Sequence, residues 1–296
     1  MRSRLSLPHG FRPEYALAYH GRDRLSLSER VVGRTIAKTV WVDGAAHVLE
    51  IDLSHCDEPV SPRAEISMDG DVLSTEAVER LVSRMLGLGS DPEGFEALVA
   101  PRPDAARLVG SRRGMRIPLT ADIFDAVCWA VIGQQINLTF AAALRRAVIE
   151  RAGVRHAASG LYAHPAPAGV AALEVEDLTS LRFSRSKASY LIGVARHIVS
   201  GDLSLEALAL GPAEEAEAAL VALRGIGTWT ARYIMLRGFG FPDMAPIGDS
   251  GLATALQRLH GLAVRPDIQA QEASMRAFAP YRSLATTHLW ASLAEP

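Results

Sequence analysis

Residues 223–249 read LRGIGTWTARYIMLRGFGFPDMAPIGD, and this stretch decides the fold around it. Gly225-Ile226-Gly227 separates two helix-forming runs. Glycine reaches backbone angles closed to other residues, so helix, tight turn and helix can follow within a few positions. Such a turn points amide N–H groups outward beside the N-terminus of the second helix, which binds a phosphate oxygen without side-chain charge. Gly225, Gly227, Thr228 and Thr230 are the candidate phosphate-binding residues. Taken alone, the triplet equally fits a C-cap glycine joining two packed helices. Trp229 and Tyr233 stand at i and i+4 on the second helix, so their rings share a face. A Gly/Pro-rich loop then ends at Asp249, 22 residues after Gly227. Asp249 can cap the helix starting at Ser250, lend its carboxylate to chemistry, or do both.

Outward from this stretch the pattern stays helical back to about Thr120 and forward to the last turn near Ser283–Leu293. Thr120 is a candidate cap for a helix whose Phe124, Val127, Cys128 and Val131 share one face. The first hundred residues differ. Ile36–Val42 and His47–Leu53 are β-rich runs around Asp43-Gly44, a hairpin signature. Ser74 then caps a helix with Val78, Leu81, Val82, Met85 and Leu86 in one stripe. The expected fold class is α+β: a small N-terminal antiparallel sheet domain over 1–102, then a mostly α-helical body over 103–296, with Pro101-Arg102-Pro103 at the boundary.

A length of 296 residues, 49% of them hydrophobic, buries ample core without staples. Cys56 and Cys128 make no metal-type pair, and no His/Cys/Asp cluster calls for a metal. The chain opens on no signal-type leader and holds no 18-residue apolar run, so a soluble, cytoplasmic protein is expected, with no membrane partner. Net charge is −2, unevenly spread: residues 1–110 carry 13 basic and 17 acidic side chains, residues 111–296 carry 18 and 16. Leu181–Arg196 (Arg182, Arg185, Lys187, Arg196) and Val221–Pro242 (Arg224, Arg232, Arg237) hold no acid. These are candidate phosphate-tracking patches, or ordinary solvated helix faces.

The motif L-x-G-I-G-x-W-T-A-x-Y followed by a loop Asp resembles the helix-hairpin-helix, Gly/Pro-loop and Asp signature of base-excision DNA glycosylases, of the 3-methyladenine DNA glycosylase II type. Ala130–Ile136 resembles the family's duplex-entering loop, Pro280–Ser283 with His288-Leu289-Trp290 its C-terminal helix, and Leu49–Pro59 part of its sheet domain. The resemblance implies a hairpin at about 213–239 and a catalytic loop at 240–250, with Asp249 as the catalytic aspartate. A fixed carboxylate stabilises the sugar cation that builds as an N-glycosidic bond breaks, or helps aim water at it. It further implies a base pocket of Trp229, Tyr233 and Trp290, although aromatic stripes at helical spacing also fill cores. Gln135 takes the place of the residue that fills the hole left by a flipped base, a leucine in the type resembled. Arg282 either contacts a phosphate, braces the Asp249 loop or forms a structural ion pair, and His288 reads as a packed histidine.

Where strand-nicking relatives carry a Schiff-base lysine, this chain carries Trp229, and no lysine follows Lys187. The implied enzyme is a monofunctional hydrolase of alkylated bases in duplex DNA, monomeric, without organic cofactor, allowing a monovalent cation at the hairpin carbonyls, and working at a bacterial nucleoid. Electron-poor alkylpurines suit aromatic faces. Deaminated or oxidised bases are the second reading, and a non-catalytic DNA clamp the third. A clamp has no need of an acid at Asp249.

Overall fold

The computed structural model describes residues 1–294. Its first unit contains β1 (Arg2–Ser6), α1 (Pro13–His20), β2 (Glu29–Val32), β3 (Thr35–Val42), β4 (Ala45–Asp52), β5 (Arg63–Met68) and α2 (Thr75–Leu86). The five strands form an antiparallel sheet in the order β1-β5-β4-β3-β2. Asp43 and Gly44 both take positive φ, 45° and 88°, the geometry a two-residue hairpin turn demands. One sheet face meets α2 through Val78, Val82, Met85 and Leu86, all buried in a core with Ile36, Leu49, Ile51 and Ile66. Ser74 caps α2, accepting from the Ala77 amide at 3.2 Å.

The helical body follows: α3 (Pro92–Val99), α4 (Pro103–Val109), α5 (Ile123–Gly133) and α6 (Leu138–Ala152). A two-residue pairing, β6 (Val154–Arg155) with β7 (Tyr162–Ala163), precedes α7 (Pro167–Ala171), α8 (Val175–Thr179) and α9 (Arg185–Val199). Then come α10 (Leu205–Leu210), α11 (Ala213–Val221), α12 (Thr228–Ile234), α13 (Ser250–His260), α14 (Ile268–Arg276) and α15 (Arg282–Ser292). None of the described helices is long and apolar enough to cross a membrane. Phe95 and Val99 of α3 belong to the helical core. The two cores therefore divide between Leu86 and Phe95, ahead of Pro101-Arg102-Pro103, which only opens α4. Asp122, rather than Thr120, caps α5, accepting from the Phe124 amide at 2.6 Å. Thr120 instead bonds the Arg237 carbonyl through its amide, 3.3 Å, and its hydroxyl, 3.4 Å.

A buried ionic cluster joins the two units. Arg145 of α6 makes a bidentate pair with Asp125 of α5 at 2.9 and 2.7 Å. From the sheet, Lys38 lies 3.5 Å from Asp125 and 3.8 Å from Glu29, and Glu29 lies 3.6 Å from Arg145. His20 spans Glu29, at 3.3 Å, and the Met85 carbonyl, at 3.0 Å. Burial works against charge on Glu29 and Asp125, but the cations around them hold both carboxyls well below the usual range.

Burial has the opposite sign for two histidines. It depresses His164 to about 4 and His288 to about 4. The unfolded chain protonates near the ordinary value of 6.5 while the folded chain does not. Stability is therefore full above about pH 6.5 and falls as pH drops toward 4, by roughly 3 kcal/mol per histidine. Denaturant unfolding between pH 7.5 and 4.5 should show this decline; a flat profile would overturn it.

Candidate active site at the hairpin and the Asp249 loop

The hairpin turn is built by packing as well as by backbone freedom. Gly225 has φ +87°, and a Cβ there would sit 2.2 Å from the ring of Tyr190 on α9. Only glycine satisfies both constraints. Gly227 has extended backbone and nothing within 4 Å of its Cβ position, so the start of α12 is open to an approaching ligand. Gly227 and Thr228 are exposed.

Thr230 departs from expectation. It is 2% exposed, and its hydroxyl accepts from Gln134 Nε2 at 3.0 Å, so its side chain does not reach a phosphate. The same Gln134 amide donates to the Gly225 carbonyl at 2.9 Å. Gln134 thus ties the α5–α6 loop to the hairpin, a role no local pattern announced because its partners lie 91 and 96 positions away. Gln135 follows at φ +55°, exposed at the loop tip. Asn137 caps α6 behind it, accepting from the Phe140 amide at 2.9 Å. Lys187 donates to the Ile132 carbonyl at 2.9 Å, closing the end of α5. Gln134→Leu, similar in size, removes both bonds and leaves Thr230 and Gly225 unpaired. Two lost hydrogen bonds predict about 1–3 kcal/mol of lost stability and weaker duplex binding in titration; unchanged affinity and melting would refute the tie.

The acid-free runs of sequence are not acid-free in space. Arg232 pairs with Glu217 at 2.9 Å, Arg185 with Glu176 at 3.1 Å, and Arg196 with Glu174 at 3.6 Å. Arg237 is 8% exposed and donates to the Pro118 carbonyl at 3.1 Å. The patch read from sequence shrinks mainly to Arg224, exposed beside Gly225, and Arg182, whose guanidinium lies 5.1 Å from the Phe140 ring.

Asp249 caps α13 and is held by three N–H donors. Oδ1 accepts from the Leu252 amide at 2.8 Å and from Trp290 Nε1 at 2.9 Å; Oδ2 accepts from Trp229 Nε1 at 3.3 Å. Both indoles expected in the pocket therefore orient the acid, and Oδ2, with one longer bond, keeps the most free acceptor capacity. Gly251 makes room: a Cβ there would fall 3.1 Å from Asp249 Oδ1 and 3.4 Å from the Trp290 ring. Tyr233 stands between the indoles, 5.7 Å from Trp229 and 6.0 Å from Trp290 between centroids. Burial raises its hydroxyl to about 12, so it stays a neutral phenol.

The hairpin helix does not run regularly to Phe239. After Ile234 it widens into a π-helical turn, Met235–Phe239. Such turns cluster at functional sites. This one carries Arg237, whose guanidinium lies 4.8 Å from the Tyr19 ring and 5.6 Å from the Trp290 ring. Arg282 resolves as a brace. It makes a bidentate pair with Asp243 at 2.7 and 2.8 Å, anchoring the loop that ends in Asp249. Against the cost of burial, Arg282 holds the Asp243 carboxyl below its usual value. His288 is fully buried, 3.0 Å from the Leu108 carbonyl and packed 5.0 Å from the Phe95 ring, so it is structural.

The chain is 26% identical to a DNA-3-methyladenine glycosylase of Bacillus subtilis over 97% of this chain and 95% of that one. It is 29% identical to DNA-3-methyladenine glycosylase 2 of Escherichia coli, over 85% and 79%. A solved 3-methyladenine DNA-glycosylase from Archaeoglobus fulgidus superposes with a TM-score of 0.84 at 23% identity, covering 98% of this chain and 97% of that one, and so shares the fold. The model of the HhH-GPD superfamily of base excision DNA repair proteins matches residues 128–280, which span the α5–α6 loop, the hairpin and Asp249. The chain belongs to that family.

Proposed function

We propose that this chain is a monofunctional DNA glycosylase that flips an alkylated base out of duplex DNA and hydrolyses its N-glycosidic bond. The observation that carries the reading is the Asp249 carboxylate, held by the indoles of Trp229 and Trp290 beside Tyr233. The open start of α12, with Gly227 and Thr228, receives a backbone phosphate through its amides. Gln135 enters the gap left by the base, which costs a few kcal/mol to unstack. The bond electrons leave with the base. When that base is already cationic it departs neutral and needs no acid. Positive charge builds on the sugar, Asp249 stabilises it, and water adds with its proton passing to Asp249 and on to solvent.

A Schiff-base step lacks its amine. Trp229 occupies the hairpin position, Lys187 bonds the Ile132 carbonyl, and Lys38 is 3% exposed inside the ionic cluster. No cofactor enters the reaction. The hairpin carbonyls of Leu223 and Gly225, each of which accepts one N–H and keeps a second lone pair, would be the oxygens to hold a monovalent cation.

Duplexes carrying single 3-methyladenine or 7-methylguanine lesions, incubated with the enzyme, should yield strands cut only after alkali. Borohydride should trap no covalent adduct. Intact lesions would refute the reading, and a trapped adduct would refute its monofunctional part.

A further inference from the structure

A cavity of about 210 Å³ opens between α12, the Asp249 loop, α14 and the start of α15. Its walls are Arg232, Ile247, Glu272, Met275, Arg276 and Arg282; Asp249 and the aromatic rings around it are not among them. Three guanidinium groups thus meet one carboxylate. The frame is fixed: Arg282 is anchored on Asp243, and Gln271, next to Glu272, accepts from the Gly248 amide at 2.9 Å. Met275, 1% exposed, gives the cavity an apolar side.

The arginines are only partly satisfied. Each guanidinium offers five N–H donors. Arg232 commits one, from Nε to Glu217 at 2.9 Å, and so keeps four. Arg282 commits two to the Asp243 carboxylate and keeps three. The Arg276 side chain makes no hydrogen bond or ion pair among the described residues. Glu272, four positions earlier on α14, lies within 4.0 Å of none of the three guanidinium groups and is exposed. Resident carboxylates therefore leave most of the donors free, and planar forks match the oxygens of a phosphate. Organic ligands usually fill clefts of about 300 Å³ or more. This cavity is smaller, so it suits a single phosphate group rather than a whole nucleotide.

We propose that this cavity is an oxyanion site that takes one phosphate group, with Arg232, Arg276 and Arg282 as its donors. An occupant also touches Ile247, two residues before Asp249, and so packs against the loop that carries the acid. The proposal is independent of lesion chemistry, because it concerns binding alone. Two sources share this chemistry, a backbone phosphate of bound DNA and free phosphate.

The probe is inorganic phosphate, titrated calorimetrically into the full-length chain at constant ionic strength. Saturable binding is expected. Arg276→Gln should weaken it about tenfold or more, the scale of one charge-assisted bond. Arg276 is exposed and bonds nothing, so folding is not at risk. Glu272→Gln should act in the opposite direction and tighten binding about threefold, by removing a like charge. Phosphate held instead at the start of α12 would bind through amides that neither substitution touches. Unchanged affinity in both variants therefore overturns the proposal, as does no saturable binding to the unmodified chain. Repeating the titration on the chain saturated with undamaged duplex identifies the source. If DNA fills the cavity, the duplex blocks phosphate, and Arg276→Gln lowers the slope of log K for duplex against log[salt] by about 1. If free phosphate fills it, phosphate binds the complex as before and the slope is unmoved. Either result upholds the site.

Discussion

Asp249→Asn should lower single-turnover excision by roughly 10²–10³-fold, the scale of one preorganised electrostatic partner, while folding and duplex binding persist. The geometry separates these effects. An asparagine oxygen in the place of Oδ1 still accepts from the Leu252 amide and Trp290 Nε1, and asparagine caps helices about as well as aspartate. Its amide nitrogen then faces Trp229 Nε1, so one 3.3 Å bond is lost along with the negative charge. Asp249→Ala is less informative, because it also removes the cap, at a cost of about 0.5–2 kcal/mol. Excision within tenfold of the unmodified chain, with melting unchanged, would remove Asp249 from the chemistry.

This acid was legible in sequence because its context is local. Two glycines, two aromatics at i and i+4 and a loop ending in Asp all lie within 27 residues. The hairpin at Asp43-Gly44 and the Ser74 cap were legible for the same reason. Three features were not. That Gly225 must lack a Cβ depends on Tyr190, whose ring is set by α9 packing. Gln134 makes its decisive bonds across the fold. The π-helical turn breaks no local rule in Met235–Phe239; its freed carbonyls are met by groups remote in sequence, with Arg237 accepting from Thr120 and Gly238 from Arg84 of α2. Charge failed in the same way. A run without acids says nothing about Glu217, Glu176 or Glu174, which fold onto it. Thr230 matches the hairpin motif by position, but its neighbours, not its type, turn it inward.

The second large effect is expected in stability. Asp125→Ala should cost about 3–5 kcal/mol, the price of breaking a buried ion pair on one side. Asp125, Glu29, Lys38 and Arg145 are each 6% exposed or less, two anions against two cations. Removing Asp125 strips Arg145 of both its short bonds and leaves two buried cations facing Glu29 alone. Urea unfolding reads the cost directly, and a loss under 1 kcal/mol would mean the cluster contributes nothing net. Lys38→Met combined with Asp125→Leu removes one charge of each sign. Because the two groups lie 3.5 Å apart, their effects should be non-additive, with the double variant more stable than the sum of the single changes predicts. The cluster also bears on the site. Glu29 and Lys38 belong to the sheet unit, Asp125 lies in the first turn of α5, and α5 carries Trp129 and leads into Gln134. Tyr19 and Arg22 sit just before Glu29 on the same chain. Loosening these charges should therefore shift Trp129 and Gln134, and Asp125→Ala at low temperature, still folded, should excise 7-methylguanine more slowly than the unmodified chain.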